Sequence, residues 1–232
     1  MLSQTRTTQP KSTDAPIASP EHKSGGALSV SAPDVHTIVP SDAHYPPSLA
    51  GYLGAGAPAA LRTLGNLDIL SRTKLAIFCS SRCPGNVILQ AYDLAQRLRT
   101  AQYAVISGFH APVEQECLTV LLRGPAPVVI CPARDIADMR LPVAWRTPLP
   151  EGRLLILSPF SSGQRRPTTD MAMLRNRFVA ALADRIIIAR AAPGGKTEAF
   201  CRELLAWGKP VYTLPDEVNG NLALMGVGIY QG

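Results

Sequence analysis

Two short segments of the chain combine small residues with a single cation, a combination suited to binding phosphate. Ser80-Ser81-Arg82 carries two hydroxyl groups and a guanidinium, whereas Gly194-Gly195-Lys196-Thr197 carries a flexible backbone, an ammonium and a hydroxyl. Guanidinium groups bind phosphate oxygens through paired hydrogen bonds, and backbone N–H groups in glycine-rich turns at helix starts bind anions. We therefore predict that both segments contact a phosphate group.

A third basic segment is rich in arginine. Its predicted phosphate-binding residues are Arg165, Arg166, Arg175, Asn176 and Arg177. If Thr168 or the residue after it caps a helix, Arg175 and Arg177 lie about 200° apart around the helix axis. We expect one of them to bind the ligand and the other to pair with Asp170 or Asp184.

The turn Ser107-Gly108 completes the set of predicted phosphate-binding residues. A glycine at this position allows a ligand to approach the backbone closely. His110 follows the turn, but no nucleophile and acid accompany it at a spacing that suggests a catalytic triad. We predict no catalytic residue.

The spacing of the motifs disfavours three other kinds of site. Gly195-Lys196-Thr197 resembles the end of a Walker loop, but Arg190 stands where that motif requires glycine. Only Gly85 lies where a G-x-G-x-x-G dinucleotide fingerprint would fall. Cys79-x3-Cys83 lacks the second pair of ligands that marks a metal site. We expect neither a metal nor a cofactor.

These segments follow short apolar runs that have the length of buried strands. Six such runs alternate with amphipathic stretches of helical length, which is typical of βαβ units. We predict strands at 75–79, 103–107, 127–131, 153–158, 185–190 and 210–214, and helices at 87–98 with Asn86 as cap, 113–122, 168–183 and 197–207. The pattern predicts an α/β fold: a Rossmann-like, doubly wound, mostly parallel sheet of about six strands with helices on both faces. Ligands of such sheets bind beyond the carboxyl ends of the strands.

The charge balance favours an anionic partner. The 232 residues carry a net charge of +6, and residues 41–232 contain 17 Arg but only 3 Lys. A GC-rich genome would also raise Arg, together with Ala, Gly and Pro, so genomic bias is the alternative explanation. No stretch approaches the roughly 20 apolar residues that a membrane-spanning helix needs, and we expect no membrane association.

Residues 1–40 differ in composition from the rest of the chain. They are rich in Ser, Thr, Pro, Ala and Gly and contain no aromatic residue, so we predict a disordered tail. We expect one domain over residues 41–232, in which residues 41–73 form an N-terminal extension that packs on the sheet. The five cysteines form no C-x-x-C pair, which favours reduced thiols and a cytoplasmic location.

The order of the motifs resembles the DprA/Smf family of DNA-processing proteins over about residues 44–232. The segments that carry the resemblance are Tyr45-Pro46-Pro47-Ser48-Leu49, Leu64-Gly65-Asn66-Leu67, Ser80-Ser81-Arg82, Ser107-Gly108, Arg175-Asn176-Arg177, Pro193-Gly194-Gly195-Lys196-Thr197, Asn219-Gly220-Asn221-Leu222 and Gly226. The second turn departs from the family pattern, because Pro112 stands at its third glycine position and Glu114 at its aspartate. The chain looks like a minimal, diverged version without the family's N-terminal helical and C-terminal winged-helix domains.

The resemblance implies a DNA-processing protein rather than an enzyme. It implies binding of single-stranded DNA, delivery of the strand to a RecA-type recombinase in recombination or DNA uptake during transformation, and a homodimer. Because aromatic residues near the predicted loops are sparse, we expect binding through the phosphate backbone rather than by base stacking.

A sister family offers an alternative function. Pro193-Gly194-Gly195-Lys196-Thr197-Glu198 resembles the P-G-G-x-G-T-x-x-E loop of the Lonely-guy phosphoribohydrolases, but it is one residue short before the threonine, and Phe200 stands at the glutamate position. The alternatives are therefore hydrolysis of a nucleoside monophosphate, or nucleotide binding without chemistry.

Overall fold

The structure is a computed structural model that describes residues 34–161 and 163–231. Within these residues one sheet has nine strands in the order β1-β2-β6-β5-β4-β3-β7-β8-β9. The strands are β1 His36–Ile38, β2 Leu61–Gly65, β3 Lys74–Cys79, β4 Ala104–Ser107, β5 Val128–Ile130, β6 Leu154–Ser158, β7 Arg185–Arg190, β8 Val211–Thr213 and β9 Gly228–Ile229. The pairs β1–β2 and β2–β6 are antiparallel, and the other neighbours are parallel.

The Rossmann-like α/β fold is confirmed, and each of the six predicted strands is present. The predicted number of strands is wrong, because β1, β2 and β9 add to the sheet. Central strands of a parallel sheet are buried on both faces and read as continuous apolar runs. In contrast, β2 includes Arg62 and Thr63, and β9 has only two residues, both exposed. These three strands therefore lack the apolar signal.

The helices are α1 Ser48–Leu53, α2 Gly85–Leu98, α3 Pro112–Leu121, α4 Thr169–Leu182, α5 Lys196–Ala206 and α6 Gly220–Leu224. The four predicted helices agree with α2 to α5 to within two residues, whereas α1 and α6 were not predicted. Thr168 caps α4, since its hydroxyl accepts the N–H of Met171 at 3.2 Å. Asn86 is not the cap of α2: it lies inside the helix and donates to Asp216 Oδ2 at 2.6 Å.

The boundary predicted at residue 40 requires a correction. Residues 1–33 of the predicted tail lie outside the described residues, but His36–Ile38 form β1, and the side chain of Ile38 is buried. This strand pairs with β2 in register, with Ile38 opposite Leu61. The segment 41–73 contributes β2 to the sheet and α1, which packs on α4.

Two layers of helices enclose the sheet and place its loops. Helices α2 and α3 pack on one face, and α1, α4 and α5 pack on the other. Successive residues of β3 point to opposite layers, as Ile77 and Phe78 do. The order of the strands reverses beside β3, because β4 and β7 flank it. No helix within the described residues is both long and apolar enough to cross a membrane.

Candidate phosphate-binding cleft

A cleft of about 730 Å3 opens at the carboxyl ends of β3, β4 and β5 and faces the first turns of α4 and α5. Six of the predicted residues line it: Gly108, Arg175, Asn176, Arg177, Lys196 and Thr197. The fold therefore brings together residues from three predicted segments, because their strands end at the same edge of the sheet.

Arg175 forms part of the cleft lining and is 4% exposed. Its Nη1 donates to the carbonyl oxygen of Cys131 at 3.1 Å, and its buried Nε has no hydrogen-bond partner within the described structure. Burial lowers the pKa of this guanidinium, although the nearby Glu114 opposes the shift. One donor of the side chain thus remains without an acceptor.

Gly108 lies directly against this guanidinium. A Cβ built on Gly108 would lie 0.9 Å from Nη1 of Arg175. The prediction that glycine allows a ligand to approach the backbone therefore needs correcting, since the group that approaches is an arginine of the same chain. A larger residue here would displace the guanidinium of Arg175.

The carboxylate of Glu114 accepts hydrogen bonds from backbone N–H groups at the end of β3 and in the turn after β4. It accepts the backbone N–H groups of Cys79 and His110, both at 3.0 Å, and of Ala111 at 3.4 Å. Burial raises the pKa of Glu114, against the opposing effects of Arg175 and these N–H groups. Ser107 is fully buried next to the same carboxylate. The chain's own glutamate therefore accepts the backbone donors beside the predicted Ser107-Gly108 turn.

Arg177 lines the cleft with its charge already paired. Its Nε and Nη2 donate to the two carboxylate oxygens of Glu203 at 2.6 and 3.1 Å. The predicted partners, Asp170 and Asp184, are therefore wrong. Asp184 instead accepts the backbone N–H of Lys74 at 2.7 Å. The partner of Arg177 lies on another helix, α5, and the spacing of residues along α4 could not predict this pair.

The glycine-rich turn after β7 is held by Glu198. Its carboxylate accepts the N–H of Gly194 at 2.9 Å and the side-chain amide of Asn221 at 2.7 Å, and these hydrogen bonds lower its pKa. Gly194 and Gly195 shape the turn outside the cleft lining, and Gly194 has a φ of 69°. Lys196 and Thr197 begin α5 at the cleft, where the first N–H groups of a helix have no acceptor within it.

The first predicted segment does not line the cleft. The hydroxyl of Ser80 accepts the backbone N–H of Ala192 at 3.1 Å, and the backbone N–H of Ser80 donates to the carbonyl of Arg190 at 2.9 Å. These bonds join the loops after β3 and β7 at the point where the strand order reverses. Ser81 and Arg82 are exposed beyond this junction.

Arg165 and Arg166 also lie outside the cleft lining, and both are exposed. Arg134, which sequence reasoning missed, does line it. The signal was available, because Arg134 is the first charged residue after the predicted strand 127–131. Phe200, which packs edge-to-face on Phe78 with ring centroids 5.2 Å apart, adds an apolar wall.

Residues 36–226 match the family described as DNA recombination-mediator protein A. The fold is similar to DNA processing protein A from Streptococcus pneumoniae, at 21% identity and a TM-score of 0.72 over 85% of this chain and 71% of that one. It is also similar to DNA processing protein A from Helicobacter pylori, for which a single-stranded DNA binding mode is described, at 20% identity and a TM-score of 0.68 over 84% and 89% of the two chains. No curated protein sequence matches the chain.

Proposed function

Since this chain belongs to the DNA recombination-mediator protein A family, we propose that it is a DNA-processing protein that binds the phosphate backbone of single-stranded DNA in the cleft. The fold relative from Helicobacter pylori is described for its binding of single-stranded DNA. The proposal transfers that ligand class to the cleft at the carboxyl ends of β3, β4 and β5.

The observation that carries the proposal is the unpaired donor of Arg175. Its Nε is buried and has no hydrogen-bond partner within the described structure, and a buried polar group without a partner costs about 1–3 kcal/mol. A phosphate oxygen in the cleft would satisfy it after a shift of the side chain, because this atom is inaccessible in its present position. Arg134 and Lys196 line the same cleft, whereas the charge of Arg177 is balanced by Glu203.

The biological role and the assembly follow from the family alone. We propose that the bound strand is passed to a RecA-type recombinase during recombination or DNA uptake, and that the protein acts as a homodimer in the cytoplasm. The five cysteines are unpaired thiols, which supports a reducing compartment.

The position of Glu198 argues against hydrolysis of a nucleotide at the glycine-rich turn. A general acid or base needs a carboxylate within reach of the substrate. Both oxygens of Glu198 are engaged, by Asn221 on one side and by Gly194 and Arg202 on the other. Release of free base from nucleoside monophosphates would restore the hydrolase alternative.

Titration of a single-stranded oligonucleotide at several salt concentrations tests the proposal. If three to five cations contact phosphate, the logarithm of affinity should fall with the logarithm of salt concentration with a slope of roughly −2 to −3.5. Lys196→Ala should weaken binding several-fold, whereas Arg97→Ala, an exposed charge on α2 far from the strand ends, should not. No binding at low salt, or equal loss in both variants, would refute a site in the cleft.

A further inference from the structure

Two loops outside the mouth of the cleft are joined into one surface. The loop after β5 contains Asp135, whose backbone N–H donates to the carbonyl of Gln164 in the loop after β6 at 2.9 Å. Asp138 of the first loop also pairs with Arg165 of the second. Both loops reach the cleft, because Arg134 and Pro167 belong to its lining. The joined surface therefore begins at the edge of the cleft.

This surface is rich in arginine, and we call it the arginine ridge: Arg134, Arg140, Arg165 and Arg166. Three of these residues are exposed, and Arg134 is half-buried. Of the three acidic residues in the joined loops, Asp135 is buried and lies 3.8 Å from Arg62, and Glu151 pairs with Arg153 next to β6. Asp138 is the exposed carboxylate that pairs with a ridge arginine. The exposed charge of the ridge is thus strongly positive.

On the opposite side of the cleft, the described residues of the loops after β3 and β7 carry a single arginine, Arg82. There the loops after β3 and β7 are joined through Ser80, whose hydroxyl accepts the N–H of Ala192. Arg82 lies beyond that junction and does not line the cleft. The loops on the side of Arg134 thus carry the four arginines of the ridge, and a polyanion that extends out of the cleft is attracted more strongly to that side.

We propose that a single strand longer than the cleft leaves it across the arginine ridge, which binds the phosphates that follow those in the cleft. The inference rests on the proposed function of the cleft. Phe160 in the second loop is buried, and Trp145 in the first is half-buried and packs on the core, so the ridge contacts the backbone rather than the bases. It acts as an electrostatic extension that adds affinity to long strands only.

Oligonucleotides of two lengths test this inference, one of about 4 nucleotides and one of about 16. The double variant Arg140→Ala/Arg166→Ala should weaken binding of the long strand several-fold and reduce its salt slope by about 0.7 for each lost contact. Binding of the short strand should not change. Arg123→Ala, an exposed charge after α3, is the matched control for loss of charge.

Asp138→Asn provides a test in the opposite direction. Removing this carboxylate releases Arg165 from its pair, so the variant should bind the long strand more tightly than the unmodified protein does. The ridge is refuted if the double variant binds the long strand as the unmodified protein does, or loses the short strand to the same degree. Failure of the unmodified protein to bind either strand would instead refute the proposed function of the cleft.

Discussion

The guanidinium of Arg175 lies where the side chain of residue 108 would be, so that only glycine leaves room for it. A Cβ on Gly108 would come within 0.9 Å of Nη1. Residues 67 positions apart, one at the end of β4 and one inside α4, therefore depend on each other. Gly108 acts on the cleft through the position of Arg175.

Gly108→Ala should lower the free energy of unfolding by about 1–3 kcal/mol, because it overfills a packed site, and should also weaken binding of single-stranded DNA. In an Arg175→Ala background the same change should cost far less, because the clashing group has gone. Urea denaturation of the two single variants and the double variant gives the coupling energy, expected to be about 0.5–3 kcal/mol. Additive effects would contradict the dependence of one residue on the other.

Glu114→Ala should lower the free energy of unfolding by about 3–5 kcal/mol. The change removes the carboxylate whose charge favours the charged form of the buried Arg175, and each buried donor that loses its acceptor costs about 1–3 kcal/mol. It also frees the backbone N–H groups of Cys79, His110 and Ala111.

An added anion would then occupy the vacated position. Sulfate should therefore raise the thermal midpoint of Glu114→Ala more than that of the unmodified protein, since a ligand of the folded state stabilises it. Glu116→Ala, an exposed carboxylate on the same helix, is the matched control. An equal response to sulfate in all three proteins would show that Glu114 does not fill an anion position.

Lys209 should make stability depend on alkaline pH. Its ammonium is buried beside the carbonyls of Ala181 and Ala183 and 3.8 Å from the ring centroid of Tyr52. Burial lowers its pKa from 10.5 to about 8, with a further lowering by Lys74 and an opposing effect of Asp184. The unfolded chain therefore binds more protons between these two values, and the free energy of unfolding rises with pH across that interval.

Lys209 should raise the free energy of unfolding across this pH interval by about 3 kcal/mol at most. Urea denaturation of Lys209→Met and of the unmodified protein from pH 7 to pH 11 measures this rise, because that range spans the two pKa values. The pH-dependent rise should be smaller in Lys209→Met and unchanged in Lys196→Met, an exposed lysine. Identical pH profiles in all three proteins would show that Lys209 titrates alike in the folded and unfolded chains.

Truncation at two positions should show that β1 contributes to the free energy of unfolding and that the residues before it do not. A chain that begins at residue 41 loses Ile38, which is 6% exposed, and the hydrogen bond from Arg62 to the hydroxyl of Thr37. We expect the free energy of unfolding to fall by about 2 kcal/mol, the contribution of one buried aliphatic side chain. A chain that begins at residue 34 should keep its thermal midpoint, because residues 1–33 have no aromatic or periodic apolar residues to bury.

The order of elements was readable from the sequence because local patterns encode it. Continuous apolar runs marked β3 to β8, and Thr168 marked the start of α4. The rule that ligands lie at the carboxyl ends of parallel strands then pointed to the loops of the cleft. Arg175 and Lys196, which we predicted from these loops, do line it.

The tertiary structure alone decided how each charged residue is used. Glu114 accepts hydrogen bonds from backbone N–H groups of the turn after β4, and Glu203 forms an ion pair with Arg177. Ser80, which we expected to bind a ligand, instead joins two loops. The bonds of Arg177 and Ser80 connect residues far apart in the sequence, and their geometry depends on how the helices pack on the sheet. Residue type and spacing therefore determined which groups reach the edge of the sheet, and packing determined which of them remain available to a ligand.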